Sequence, residues 1–185
     1  MGVQIRRWTG ANGGPTKTDI TGINTRLNAY DGHSPNDTSY PIRIPASGEN
    51  FSFWAVTRLY FSGDGIGTIN NIEWYMDGGN GLGEGVELLV ATAGAYDQAT
   101  GTPGETGDEL TVASYGNGTS DLDAEPVDAF TFDDESPLSV EGSVTDPDDE
   151  DFGDFVVMQL KVDNTAGPGA TPTETATWLY DTTIA

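Results

Sequence analysis

Between residues 51 and 63 the chain reads FSFWAVTRLYFSG, and no other stretch limits the possible folds as much. At period two, Phe51, Phe53, Ala55, Thr57, Leu59 and Phe61 fall in one row, while Trp54, Val56 and Tyr60 fall in the other. A strand apolar in both rows needs cover on both sides, which points to a layered β protein.

The surrounding text agrees. With 25 glycines and 10 prolines in 185 residues, and few apolar patterns at helical spacing, the chain reads as all-β. Periodicity predicts further strands over 3–9, 20–30, 68–76, 86–93, 110–115, 127–132, 155–162 and 176–182. A short edge piece is expected over 40–44, closed by Pro45, because proline cannot donate to a ladder. Residues 77–85, DGGNGLGEG, hold five glycines and read as a loop. The expectation is one domain over 1–185, a β-sandwich or jelly roll of roughly eight to ten strands. Residues 94–108 and the acidic run 133–154 read as long exposed excursions from it.

Charge narrows the setting. Thirty acidic residues face seven basic ones, a net charge of -23. Up to Arg58 there are six bases and four acids, a balance of +2; beyond it Lys161 stands alone against 26 acids, a balance of -25. Such a field repels nucleic acid, whose binding needs clustered cations. Disorder is disfavoured by the 10% aromatic content, with Trp8, Trp54, Trp74 and Trp178 spread along the chain. The composition instead suits a folded protein in concentrated salt, where self-repulsion is screened within a few ångströms. Cysteine is absent, so disulfides and thiolate metal sites are excluded. No run approaches the roughly 18 apolar residues of a membrane span, and residues 1–14 lack the apolar core of a secretory signal.

Catalytic constellations are hard to assemble from this text. The single histidine, His33, lies between Gly32 and Pro35 in a turn, with Asp31 and Ser34 only as sequence neighbours. Glu73 and Asp77 form an acid pair among aromatics, which aromatic strand packing also explains. GDGIGTIN and GGNGLGEG lack the lysine of a phosphate loop. The expectation is therefore a protein that is not an enzyme and has no bound cofactor.

A hard cation is the one ligand the residues suggest. TDPDDEDFGD places Asp146, Asp148, Asp149 and Asp151 close in sequence, the oxygen-rich pattern that Ca²⁺ or Mg²⁺ prefers. It fails as an EF-hand, with Asp151 where glycine is required and Val157 where a glutamate belongs. The loop thus reads either as a solvated acidic segment or as a structural Ca²⁺ or Mg²⁺ site, with DGGNG at 77–81 as a second candidate. Asn36, Asn50 and Asn117 head N-x-S/T sequons, which chance also produces.

Residues 69–102, INNIEWYMDGGNGLGEGVELLVATAGAYDQATGT, together with the preceding 51–63, resemble virion structural proteins of tailed viruses. There an I-x-x-I-x-W-Y-x-D-G strand and turn is followed by G-x-G-V-x-L and a Y-x-Q-A-T-G-T loop. With the acidic composition, the resemblance implies a virus of halophilic archaea. It implies a β-sandwich made in the host cytoplasm and mounted on the virion, touching the major capsid protein or neck and tail proteins, and homo-oligomeric. The less acidic N-terminal segment then becomes the expected docking face, with Arg6, Arg7, Arg26, Arg43 and Arg58 pairing with carboxylates of a neighbour. The competing expectation is a carbohydrate-binding sandwich with exposed tryptophan platforms.

Overall fold

The computed structural model describes residues 2–33, 38–63, 65–118 and 122–184, the side chains at 117 and 118 excepted. Along them run β1 (Gly2–Thr9), β2 (Thr16–Asp19), β3 (Glu49–Phe51), β4 (Ala55–Ser62), β5 (Ile66–Asp77), β6 (Val86–Ala93) and β7 (Gly101–Thr102). β8 (Thr106–Gly107), β9 (Val127–Asp128), β10 (Leu138–Val140), β11 (Val144–Thr145), β12 (Asp151–Asp163) and β13 (Thr175–Ile184) follow. Two short 3₁₀ turns, Tyr115–Gly118 and Ala129–Thr131, are the helical content among these residues, so the fold is all-β.

Every strand pairing is antiparallel, and the strands form two sheets. The larger has nine strands built around β12, which pairs with β4 and β3 along one side and with β6 along the other. The smaller is centred on β5, with β13 on one side and β10 and β11 on the other. Leu59, Phe61, Val156, Met158, Leu88 and Val90 of the larger sheet pack on Ile69, Ile72, Trp74 and Met76 of the smaller. This is the core of a β-sandwich.

The alternate residues of the same strands make a second core on the opposite face. Val56, Ala91, Ala93, Phe155 and Val157 are covered there by Ala99, Leu110, Tyr115 and Leu122 from the connecting segments. Both rows are therefore buried along most of β12 and over the parts of β4 and β6 that lie beside it, at Ala55–Thr57 and 90–93, as the double apolar pattern requires.

Several sequence expectations are corrected. The 51–63 strand is broken at 52–54, which moves Phe53 into the second core with Trp54, away from Leu59 and Phe61. At the break, the Ser52 N–H donates to Leu160 O (2.8 Å) and Ser52 Oγ accepts from Leu160 N (3.0 Å), so ladder bonding continues through a side chain. Residues 20–30, 40–44 and 110–115 are not strands. Gly22, at φ +67°, interrupts the first of these, and its backbone bonds go to β1 and to Tyr40 instead of to a ladder. The excursion 94–108 lies on the larger sheet, with Asp97 and Ala99 buried, and 133–154 contributes β10 and β11 to the smaller one.

Candidate docking surface and acidic loop

The five arginines expected to face a neighbour are mostly held by their own chain. Arg7 is fully buried and donates from Nη1 to Thr25 Oγ1 (2.6 Å) and Arg26 O (2.7 Å). Burial lowers its pKa to about 10, against the opposing pull of Asp31 and Tyr96. Thr25 Oγ1 also meets His33 Nδ1 at 3.2 Å, so Arg7, Thr25 and His33 pin the irregular segment after β2 onto β1. Arg7 is thus a clamp and is removed from any docking face. Burial, with Arg7 nearby, holds His33 below the usual histidine range.

Arg58 fills an irregularity of its neighbour strand. Between Phe152 and Val156, β12 advances two residues more than β4, and Arg58 Nε donates to Gly153 O (2.6 Å) inside that bulge. Gly153 has φ +68°, and a Cβ there would stand 2.7 Å from Ile72 Cδ1, so the bulge requires glycine. Arg26 is half-buried and has its own interactions. Arg43 is the exposed member of the five and pairs with Glu105 at 2.9 Å.

Arg6 brings the two charge classes together. Its guanidinium lies over the Tyr60 ring, 3.1 Å from the centroid, takes Gln4 Oε1 as acceptor at 3.3 Å, and stands 3.9 Å from Asp151 Oδ1. Lys17 lies over Trp8 and donates to Asp151 Oδ2 at 2.7 Å. Asp151, one of the four expected cation ligands, is thereby the counter-ion of the N-terminal hairpin. The N-terminal bases and the acidic remainder meet inside the molecule instead of facing opposite ways.

The other carboxylates of the acidic loop do backbone work or face solvent. Asp149 Oδ1 accepts from Gly63 N (3.0 Å), the Asp146 N–H donates to Gly67 O (2.7 Å), and the Phe61 N–H donates to Glu150 O (2.9 Å). Asp146 and Asp149 both adopt positive φ, 49° and 50°, which aspartate tolerates better than most residues. Asp148 is exposed. Among the described residues no three His, Cys, Asp or Glu side chains gather where a metal ion could sit. Asp146, Asp148, Asp149 and Asp151 are therefore not brought together as ligands. In the second candidate, Asn80 Oδ1 accepts from Leu82 N and Gly81 N donates to Glu174, which accounts for the turn at 77–81 without an ion.

The other candidates are placed as follows. Glu73 and Asp77 share one face of β5 four residues apart, about 13 Å at strand rise. A glycosidase pair needs about 5–9.5 Å, so these two do not form one. Trp54 and Trp74 are buried, and Trp8 and Trp178 are half-buried. The exposed aromatic feature is Tyr30, stacked on Tyr40 with centroids 4.4 Å apart. Asn50 Nδ2 is occupied by Arg43 O at 2.7 Å; Asn36 and the Asn117 side chain lie outside the described residues. A surface depression of about 220 Å³ is lined by Glu49, Glu87, Lys161 and Asp163, and there Lys161 pairs with both glutamates.

Sequence reading missed the buried polar anchors. Gln159 is fully buried in β12; its Nε2 donates to Ser52 O and Asp108 O and its Oε1 accepts from Leu110 N, each at 2.8 Å. Asp97, 5% exposed, accepts from Asn12 Nδ2 (2.7 Å) and Gly116 N (2.9 Å), while its carbonyl accepts from Trp54 Nε1 (3.1 Å). Its N–H donates to the Tyr115 hydroxyl, which donates in turn to Ala95 O (2.8 Å). Both anchors fasten the covering segments to the larger sheet; the only sequence signal is a polar residue in an apolar row at Gln159. Comparison with family models, with curated proteins and with solved structures found no match to this chain.

Proposed function

We propose that this chain is a non-enzymatic structural protein on the capsid surface of a tailed virus of halophilic archaea, a decoration, vertex or turret component. The observation that supports this most is the fate of the cations. Six of the seven Lys and Arg side chains are engaged by ion pairs or hydrogen bonds within the chain and Arg26 has interactions of its own, so the few cations, Arg43 the most exposed of the arginines, stand on a surface dominated by carboxylates. A surface of that kind is stable and soluble in brine and offers no concentrated binding site for phosphate or nucleic acid. The doubly covered central strands add a rigid body suited to assembly. Docking on acidic neighbours then falls to Arg43, whose partner Glu105 is itself partly exposed.

Mass spectrometry of purified particles, with a count of copies per virion, tests the reading. Hundreds of copies support a capsid-surface position, and a dozen or fewer move the protein to the neck, tail or fibre. Absence from the particle refutes a virion role. Within the particle, Arg43→Glu should lower incorporation and Asp148→Asn should not; equal effects defeat the assignment of Arg43. A glycan-binding reading retains one specific foothold, the exposed Tyr30–Tyr40 stack, and loss of host-glycan binding in Tyr30→Ala would favour it.

A further inference from the structure

Strand β13 is paired on one side only. It bonds to β5 from Thr175 to Ile184, and among the described residues no strand occupies its other edge. Other margins of the two sheets are short: β2 has four residues, β10 three, and β7, β9 and β11 two each. Short strands, charges, prolines and bulges are how proteins protect an edge from pairing with another chain. β13 has ten residues, no proline, no glycine and a single charge, Asp181, in a chain of net charge -23. The two register shifts in this pair also spare it. Between Leu179 and Asp181, and again between Thr183 and Ile184, the extra residue lies on β5, so β13 itself stays regular.

The charge and the residue order along β13 argue for a second copy as the occupant: about a two-fold axis at Leu179, Trp178 would face Tyr180, Thr177 would face Asp181, Ala176 would face Thr182 and Thr175 would face Thr183, so that no charge faces a like charge. In an isologous strand pair only the residue on the axis meets its own image, and each other residue meets the position equally far beyond the axis, so these pairs have to be mutually compatible. We propose that β13 pairs antiparallel with β13 of a second copy, with the two-fold axis at Leu179, joining the two smaller sheets into one continuous sheet.

In that register the second copy's Tyr180 lies opposite Trp178 on the core-facing row, an aromatic cross-strand pair of the kind that stabilises sheets. On the solvent-facing row Leu179, 51% exposed, meets its own image and is covered. Asp181 faces a threonine. The two Asp181 carboxylates are then offset by four residues, about 13 Å, several times the ~3 Å screening length at molar salt. Each Asp181 also keeps its bond from Asn71 Nδ2 (2.7 Å). The inference rests on β13 alone and does not depend on where, or whether, the protein sits on a virion.

Sedimentation equilibrium in molar KCl should show a reversible dimer of the wild-type chain. Leu179→Lys, at a solvent-facing position that keeps the fold by circular dichroism, should weaken that dimer by about tenfold or more. The chain has no cysteine, so Leu179→Cys can form only an intermolecular disulfide. Opposed residues on paired strands stand about 4.5–5.5 Å apart at Cα, within the ~4.4–6.8 Å that a disulfide spans. Leu179→Cys should therefore cross-link rapidly under mild oxidation, and Ser139→Cys, exposed on β10 across β5, should not. A wild-type chain that stays monomeric up to its solubility limit overturns the proposal. So does a dimer in which the two cysteine variants cross-link equally, or one that Leu179→Lys leaves intact.

Discussion

The two sheets of this sandwich are finished differently. The larger is covered on both faces, by the smaller sheet on one side and by the segments around 94–122 on the other, and it holds the buried polar anchors Gln159, Asp97 and Tyr115. Among the described residues the smaller is covered on one face; its other face presents the half-buried Thr177, Glu73 and Tyr75 and the exposed Leu179, and no strand pairs with the outer margin of β13. Rigidity is concentrated in one layer and availability in the other. A sheet covered twice has little surface left for a neighbour, while a sheet covered once keeps a face and an edge to offer.

If that division is real, the largest loss of stability comes from the outer cover of the larger sheet. Gln159→Leu strands two carbonyls and one N–H in a buried site, and it should cost about 3 kcal/mol or more in denaturant unfolding measured in molar KCl. A loss below about 1 kcal/mol would mean that the cover is only loosely attached. Next, Tyr115→Phe removes a hydroxyl that accepts from Asp97 N and donates to Ala95 O, for about 1–2 kcal/mol by the same measurement.

How far this contrast could be read from sequence depends on spacing. β6 is found at its observed bounds, β5 and β13 within two residues of theirs, and β4 and β12 with their starts four residues off, because their apolar rows are dense and regular over eight or more residues. That the 51–63 strand needs cover on both sides is legible, but the residues that supply the second cover are not, because they are single residues far apart in irregular backbone: Ala99, Leu110, Tyr115 and Leu122 show no period. Residues 110–115 alternate enough to suggest a strand, yet Thr111 and Ser114 bond to each other and close a turn. The engagement of the arginines within the chain escapes sequence reading for a related reason. Composition fixes how many cations a segment has, whereas burial of Arg7 and capture of Arg58 by a bulge depend on tertiary register.

A smaller effect is expected at the junction of β1 with the segment after β2. The pKa of His33 is lowered in the folded state, mainly by burial, so folding favours the neutral ring. Its contribution is complete above 6.5 and is lost as pH falls through the folded value. The offset between thermal melts of wild type and His33→Gln should therefore be constant above pH 6.5 and move against the wild type as pH falls below it; an offset that does not change with pH would place the ring in solvent. The Asp154 pKa is raised, mainly by burial and further by Asp123 and Glu141, and acts with the opposite sign, gaining stability on acidification. Comparing the two proteins at each pH cancels that contribution. The smallest change belongs to the open face: Leu179→Thr should alter unfolding of the monomer by no more than about 0.5 kcal/mol, and a larger loss would show that this face is covered after all.

The position of β12 at the centre of the larger sheet also bears on how the chain reaches its fold. Residues 151–163 are translated after every other strand of that sheet, so β4 and β6 are complete before the strand that joins them exists. The Lys17–Asp151 contact, which ties the first hairpin to β12, closes a separation of 134 residues. Long-range pairing of this kind is slow, and at a synthesis rate of about 5–20 residues per second unpaired edges stay open for seconds. By residue 150, just before β12 is made, the nascent chain carries 25 of its 30 carboxylates. The same charge that suits the finished protein to brine also keeps half-built sheets on neighbouring ribosomes apart.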